Sequence, residues 1–289
     1  MPKHHWFISL LACAGLWSAA LPVTAQALLP YTPNLNSELL EKKGLELAQN
    51  AIQLVRFQQY EAALSQAKLA AQLAPDRFQT WFILGTLYLQ QEQVEQGITA
   101  LNRALALAPQ ESGILFTLGN AYFQKGEYQT AITKLEAGLK LKPDVPAAFF
   151  DMGNSYLKLG QLSQAISAYQ KAVSLEKNFW PAINNIGLVQ YEQGNSQKAI
   201  ENWQKAIALD TEQAEPRLAL AVALYKEGKQ EEGLKMGAAA LAINGRYADL
   251  NYLKENLWGE KLLKDTKTFL ETPKMKDVIL HLEPSSPTE

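Results

Sequence analysis

From residue 44 onward, small and large apolar positions recur with a period of 34 residues and no insertion. With Gly44 as position 1, position 8 holds Ala51, Gly85, Gly119, Gly153, Gly187 and Ala221. Position 20 holds Ala63, Gly97, Ala131, Ala165, Ala199 and Gly233, and position 27 holds Ala70, Ala104, Gly138, Ala172, Ala206 and Ala240. Three columns confined to Gly and Ala through six copies mark a stacked structural repeat. Positions 4, 7, 8 and 11 fall on one helical face, as in Trp81, Leu84, Gly85 and Tyr88, and again in Phe149, Met152, Gly153 and Tyr156. Large beside small predicts two helices per repeat that approach closely through positions 8 and 20. Position 24 (Leu101, Leu135, Tyr169, Trp203) then fills the space toward the next repeat. Gly126, Gly160, Gly194 and Gly228 at position 15 supply the left-handed residue that ends a first helix, and Pro75, Pro109 and Pro143 at position 32 stop a second one. The expected class is all-α, a solenoid of helical hairpins.

This spacing, with its small-residue columns, its Trp and Tyr positions and its terminal Pro, resembles the tetratricopeptide repeat (TPR) family. The resemblance implies a right-handed superhelix of six units, 44–77, 78–111, 112–145, 146–179, 180–213 and 214–247. The four units from 78 to 213 carry the pattern fully. The first has Leu47 and Ala51 where an aromatic and a Gly are expected, and the sixth has Arg217 at position 4 and Gly237 at position 24. Terminal repeats face solvent or a cap on one side, which explains such departures. Residues 28–43 read as a linker and the start of the first helix. Residues 248–282 read as capping helices, amphipathic through Leu250, Leu253, Leu257 and Leu263, with a break at Gly259. Residues 283–289 read as a disordered tail. The wording of residues 253–263 also resembles the tail after TPR arrays of cyanobacterial and plastid proteins.

The first 27 residues form a separate device. Lys3 precedes an uncharged apolar run at 6–21, Pro22 interrupts it, and Ala25, Gln26 and Ala27 make a small-x-small pattern, the order of a signal peptide cleaved after Ala27. The same run reads alternatively as an uncleaved anchor, a membrane tether through residues 6–21, although it falls short of about 20 apolar residues. A third reading takes Leu10, Leu11, Ala12 and Cys13 as a lipoprotein box. All three place the rest of the chain across a membrane, in a periplasm or on the lumenal side of a thylakoid.

Composition then narrows the chemistry. Of 289 residues, three are His and one is Cys, and Cys13, His4 and His5 lie within the leading segment, which leaves only His281 beyond it. Disulfides, Cys/His zinc sites, Cys nucleophiles and Ser-His-Asp triads are thereby excluded from the body. No glycine loop for phosphate is present, Glu231 and Glu232 are adjacent and diverge on a helix, and no cofactor is expected. A balance of 27 Lys+Arg against 29 Asp+Glu argues against nucleic acid.

A non-catalytic protein-interaction scaffold is the remaining expectation. The resemblance implies a concave groove lined by the first helices, open to an extended or helical segment of a partner protein. Candidate groove residues are Phe82, Phe116 and Phe150 at position 5, Asn120 and Asn154 at position 9, Asn184 and Asn185 at positions 5 and 6, Tyr191 at position 12 and Lys158 at position 13. Asn offers both a donor and an acceptor to a peptide backbone, and aromatic neighbours offer desolvated anchors. The Phe stripe reads equally as helix packing. The chaperone-tail clamp known among TPR proteins is excluded, because its cation places hold Phe150, Glu215 and Ala219. The resemblance to cyanobacterial and plastid proteins suggests assembly of photosynthetic membrane complexes or pigment-pathway enzymes. Periplasmic service to envelope or outer-membrane biogenesis is the alternative, and a subunit of an enzyme complex a more remote one.

Overall fold

A computed structural model describes residues 36–282; the leading segment and residues 283–289 lie outside it. Among the described residues there is no strand. Twelve helices form six antiparallel hairpins: α1 (Ser37–Arg56) with α2 (Tyr60–Leu73), α3 (Phe78–Gln90) with α4 (Val94–Leu107), and α5 (Ser112–Gln124) with α6 (Tyr128–Leu141). They continue with α7 (Pro146–Lys158) and α8 (Leu162–Leu175), α9 (Trp180–Glu192) and α10 (Ser196–Leu209), and α11 (Ala214–Lys226) and α12 (Gln230–Ile243). Each helix packs on its hairpin partner and on the next helix in the chain. Three further helices follow a short 3₁₀ turn at Gly245–Ala248: α13 (Leu250–Glu255), α14 (Glu260–Leu270) and α15 (Pro273–Leu280). No helix among the described residues is long and apolar enough to cross a membrane.

The hairpin turns use one backbone device throughout. Gly126, Gly160, Gly194 and Gly228 have φ between 71° and 90°, and the following residue's amide closes the first helix, as Glu127 does on the Tyr122 carbonyl at 2.9 Å. In the first two repeats Gln58 and Glu92 hold the same left-handed conformation at φ 59° and 58°. The turn is therefore set by the packing of the two helices, and glycine only makes it less costly.

Inside each hairpin the small columns decide the distance. A Cβ added at Gly85 would lie 2.7 Å from Leu101 Cγ, and one at Gly119 would lie 2.6 Å from Leu135 Cγ. At Gly153 and Gly187 the obstructing rings are Tyr169 and Trp203. Position 24 thus packs onto the position-8 glycine of its own repeat, besides joining the following one in a shared core, as Leu101 does with Ile114 and Leu118. It therefore fills both the space toward the next repeat, as its spacing predicts, and the void that the missing Cβ leaves within its own hairpin.

The sixth repeat inverts this arrangement. Its position 24 is Gly237, and the ring over it is Phe269 of α14, which also stacks edge-on against Tyr225 at 5.4 Å. Arg217 takes the place of the aromatic at position 4. Its guanidinium donates to the Thr211 carbonyl at 2.6 Å, six residues back, as the Trp81 indole does to Pro75 at 2.8 Å. The departure at Gly237 is where α14 docks.

Candidate partner-binding groove

First helices of neighbouring repeats contact one another directly, α1 with α3, α3 with α5 and α5 with α7, so they line the inner, concave face. Their exposed positions divide the face into two regions.

Over the first four repeats the face is open. Phe82 borders an apolar hollow of about 220 Å³ with Ile52, Val55, Ile83 and Leu87. Phe116 turns its ring over Gly138, where a Cβ would meet it at 2.5 Å, so this ring is part of the hairpin's packing. Asn120 is exposed and accepts a hydrogen bond from Gln124 Nε2 at 2.8 Å. Lys158 is exposed at the end of α7.

Over the last two repeats the chain covers its own concave face. Residues Ala182 to Val189 of α9 and Leu218 to Leu224 of α11 are buried without interruption, because α13 and α14 lie against the side that a two-layer repeat would leave to solvent. Leu253, Trp258 and Leu262 are at most 3% exposed. Polar contacts fix the position of this segment. The Glu192 carboxylate accepts the backbone amides of Lys261 at 3.0 Å and Leu262 at 2.9 Å, satisfying the free amides at the start of α14. Asp265 accepts from the Tyr191 hydroxyl and from Lys226 Nζ, both at 2.8 Å. Burial works to raise its pKa, but those two hydrogen bonds outweigh it and hold the carboxyl below its ordinary value. The Trp258 indole donates to Glu215 Oε1 at 3.0 Å.

Tyr191, Asn184 and Asn185 are therefore largely covered, at 1%, 1% and 6% exposure; Tyr191 lies beneath the C-terminal segment, and the two Asn face only the small cavity described below. Asn154 and Asn185 are joined in an internal network. The Tyr169 hydroxyl donates to Asn154 Oδ1 at 2.8 Å, Asn185 Nδ2 donates to the same oxygen at 3.0 Å, and Asn184 Nδ2 donates to Asn185 Oδ1 at 3.1 Å. Phe150 stacks on Tyr169 and, edge-on, on Phe179, so its ring serves packing on one side and the groove on the other. Burial raises the Tyr169 hydroxyl well above its usual range, despite the Asn185 contact. Tyr191 is raised by burial and by Asp265.

At the junction of the two regions lies a cavity of about 260 Å³. Phe123, Phe150 and Trp180 form its aromatic walls, Asn184 and Glu215 reach it from α9 and α11, and residues 255–257 close it from the C-terminal segment. Glu215, which by sequence occupies a place where the chaperone-tail clamp has a cation, has its carboxyl pushed by burial up to about 7, against the hydrogen bonds from Trp258 and Asn184. Burial likewise raises Asp151, on the neighbouring α7, to about 6. A sequence signal for the covered region exists in the run 218–224, LALAVAL, which is apolar on every side and so calls for a cover on every side. Nothing in the sequence shows that the cover is α13 and α14. Among the described residues no cluster of His, Cys, Asp and Glu is arranged to hold a metal.

The fold and groove define a class, the TPR solenoid, and comparison with known proteins agrees. A family model for the TPR repeat matches residues 119–160, 153–194 and 187–228, three windows that each begin at a position-8 glycine. A model for ChAPs (Chs5p-Arf1p-binding proteins) matches residues 34–104. No curated protein matches the chain. Among solved structures, the PilF of Pseudomonas aeruginosa is 15% identical with a TM-score of 0.61, over 79% of this chain and 98% of that one. MamA of Desulfovibrio magneticus is 22% identical with a TM-score of 0.54, over 59% and 97%. YrrB, described as a TPR protein with an unusual peptide-binding site, is 20% identical with a TM-score of 0.51, over 67% and 100%. At these identities the likeness is one of fold.

Proposed function

We propose that this chain is a non-catalytic scaffold that takes a segment of a partner protein along the open concave face of its first four repeats. The observation that carries this reading is the contrast between the two halves of the groove. Repeats five and six are occupied by the chain's own helices, whereas the Phe82 hollow and the exposed Asn120 are left uncovered. TPR proteins bind protein partners, and YrrB, a solved structural neighbour, is described by its peptide-binding site. The proposed setting is the far side of a membrane, reached through residues 1–27, in assembly of photosynthetic membrane complexes or pigment-pathway enzymes.

Replacement of Phe82 and Asn120 by Ala tests the groove. Helical content by circular dichroism should stay intact while capture of partner proteins from a native extract weakens; undiminished capture would move the partner to the convex face or the loops. Asn154 is unsuited to this test, since its loss would also disturb Tyr169 and Asn185. Affinity purification decides the setting: recovery of envelope machinery without photosystem or pigment-pathway proteins would replace the photosynthetic role by envelope biogenesis.

A further inference from the structure

The cavity at the junction of the open and covered halves has a chemistry of its own. Its walls are the rings of Phe123, Phe150 and Trp180, and its floor carries Asn184 and the carboxylate of Glu215, with Glu255 at the rim. Asn184 is 1% exposed, and its Oδ1 has no hydrogen-bond donor, although its amide nitrogen is engaged by Asn185. A buried acceptor left in this way costs free energy until a donor reaches it. Among the described residues no ion pair engages Glu215, Glu255 or the nearby Asp151. Glu255 is exposed, but Glu215 and Asp151, drawn out of water with no cation beside them, are electrostatically incomplete. The pocket thus lacks a donor for Asn184 Oδ1 and a positive charge beside Glu215, and offers aromatic faces that attract a cation.

We infer that this cavity receives a basic side chain, the guanidinium or ammonium end of an Arg or Lys carried by the partner segment. Its N–H groups would supply the donor Asn184 lacks, its charge would pair with Glu215 and Glu255, and its alkyl stem would lie against Phe150 and Trp180. A volume of about 260 Å³ suits one such side chain and falls below the range usual for drug-sized ligands. Burial pushing the Glu215 carboxyl up is the expected signature of a carboxylate whose cation is absent. The inference rests on the scaffold reading for the source of the side chain, whereas the pocket itself is testable alone.

The test titrates the full chain with n-propylguanidinium chloride, n-butylammonium chloride and neutral pentan-1-ol, followed by the ¹⁵N-indole resonances of Trp180 and Trp258. Both cations should shift these signals saturably, and the alcohol should bind at least tenfold more weakly. Glu215→Gln, which keeps an acceptor for the Trp258 indole, should lower cation affinity about tenfold with the circular dichroism spectrum unchanged. Equal binding of the alcohol, or undiminished cation binding by a folded Glu215→Gln, overturns the inference. If that variant does not fold, the comparison of cations with alcohol in the unaltered chain still decides, with Glu255→Gln as the second variant. A capped peptide of Leu and Gly bearing one Arg, against the same peptide with citrulline, then separates the two readings. Cation binding without preference for the Arg peptide would leave the pocket standing and remove the partner segment as its source. Peptide capture at the Phe82 hollow with no cation binding would keep the scaffold and remove the pocket.

Discussion

Single residues set the tolerances of this array. Gly187 touches Trp203 so closely that a Cβ would lie 2.6 Å from its Nε1, and the indole, fully buried, has nowhere to move. Gly187→Ala should therefore destabilise the chain by about 1–3 kcal/mol through overpacking, read as a lower urea midpoint with an unchanged slope. Glu215 provides a pH test. Its folded carboxyl titrates at about 7 against 4.5 for a free one, so its contribution is fully present at pH 4 and is lost as the pH rises through 7. Relative to Glu215→Gln, the unaltered chain should lose up to about 3 kcal/mol between pH 4 and pH 8. Asp151 titrates in the same direction in both proteins and cancels from the difference. A pH-independent difference would mean that Glu215 is as well solvated folded as unfolded.

At the scale of an element, α14 shows how little of its position is local. Its first-turn amides are satisfied by Glu192, about 70 residues earlier in the chain, and Gly259 makes room for that carboxylate, since any Cβ there would collide with it. Glu192→Ala should cost about 1 kcal/mol, the usual worth of a lost cap, and should raise hydrogen exchange at the amides of 261 and 262 before those of α11. The hairpins themselves were readable from the chain, because their helix faces, glycine turns and terminal prolines are contacts within one period. The left-handed turns at Gln58 and Glu92 were not marked by glycine. There the geometry is imposed by helices on either side, and the local residue merely complies.

For the whole molecule, the consequence is a groove of unequal halves. Deleting residues 249–282 removes the cover from α9 and α11 and exposes the Leu218–Leu224 face. Such a chain should melt at a lower temperature and bind a hydrophobic dye that the full chain does not bind. Unchanged melting would show that the C-terminal helices are dispensable to the array. Trp258→Ala is the milder form, with an expected loss of about 3–5 kcal/mol for a buried Trp, measured by denaturant titration.

Periodicity alone determined that this chain is a stack of six helical hairpins, because a 34-residue comb of small residues reports packing that each repeat makes with itself and its neighbour. The open groove residues Phe82 and Asn120 follow from the same counting. Which part of the concave face is available could not be counted, since Asn184, Asn185 and Tyr191 are identical in kind to groove residues and differ only in what lies over them. That cover comes from residues outside the period, brought back by Trp258, Glu192 and Asp265 across separations of 43 to 74 residues. Contacts at such range carry no signature in local spacing; only the folded chain decides them.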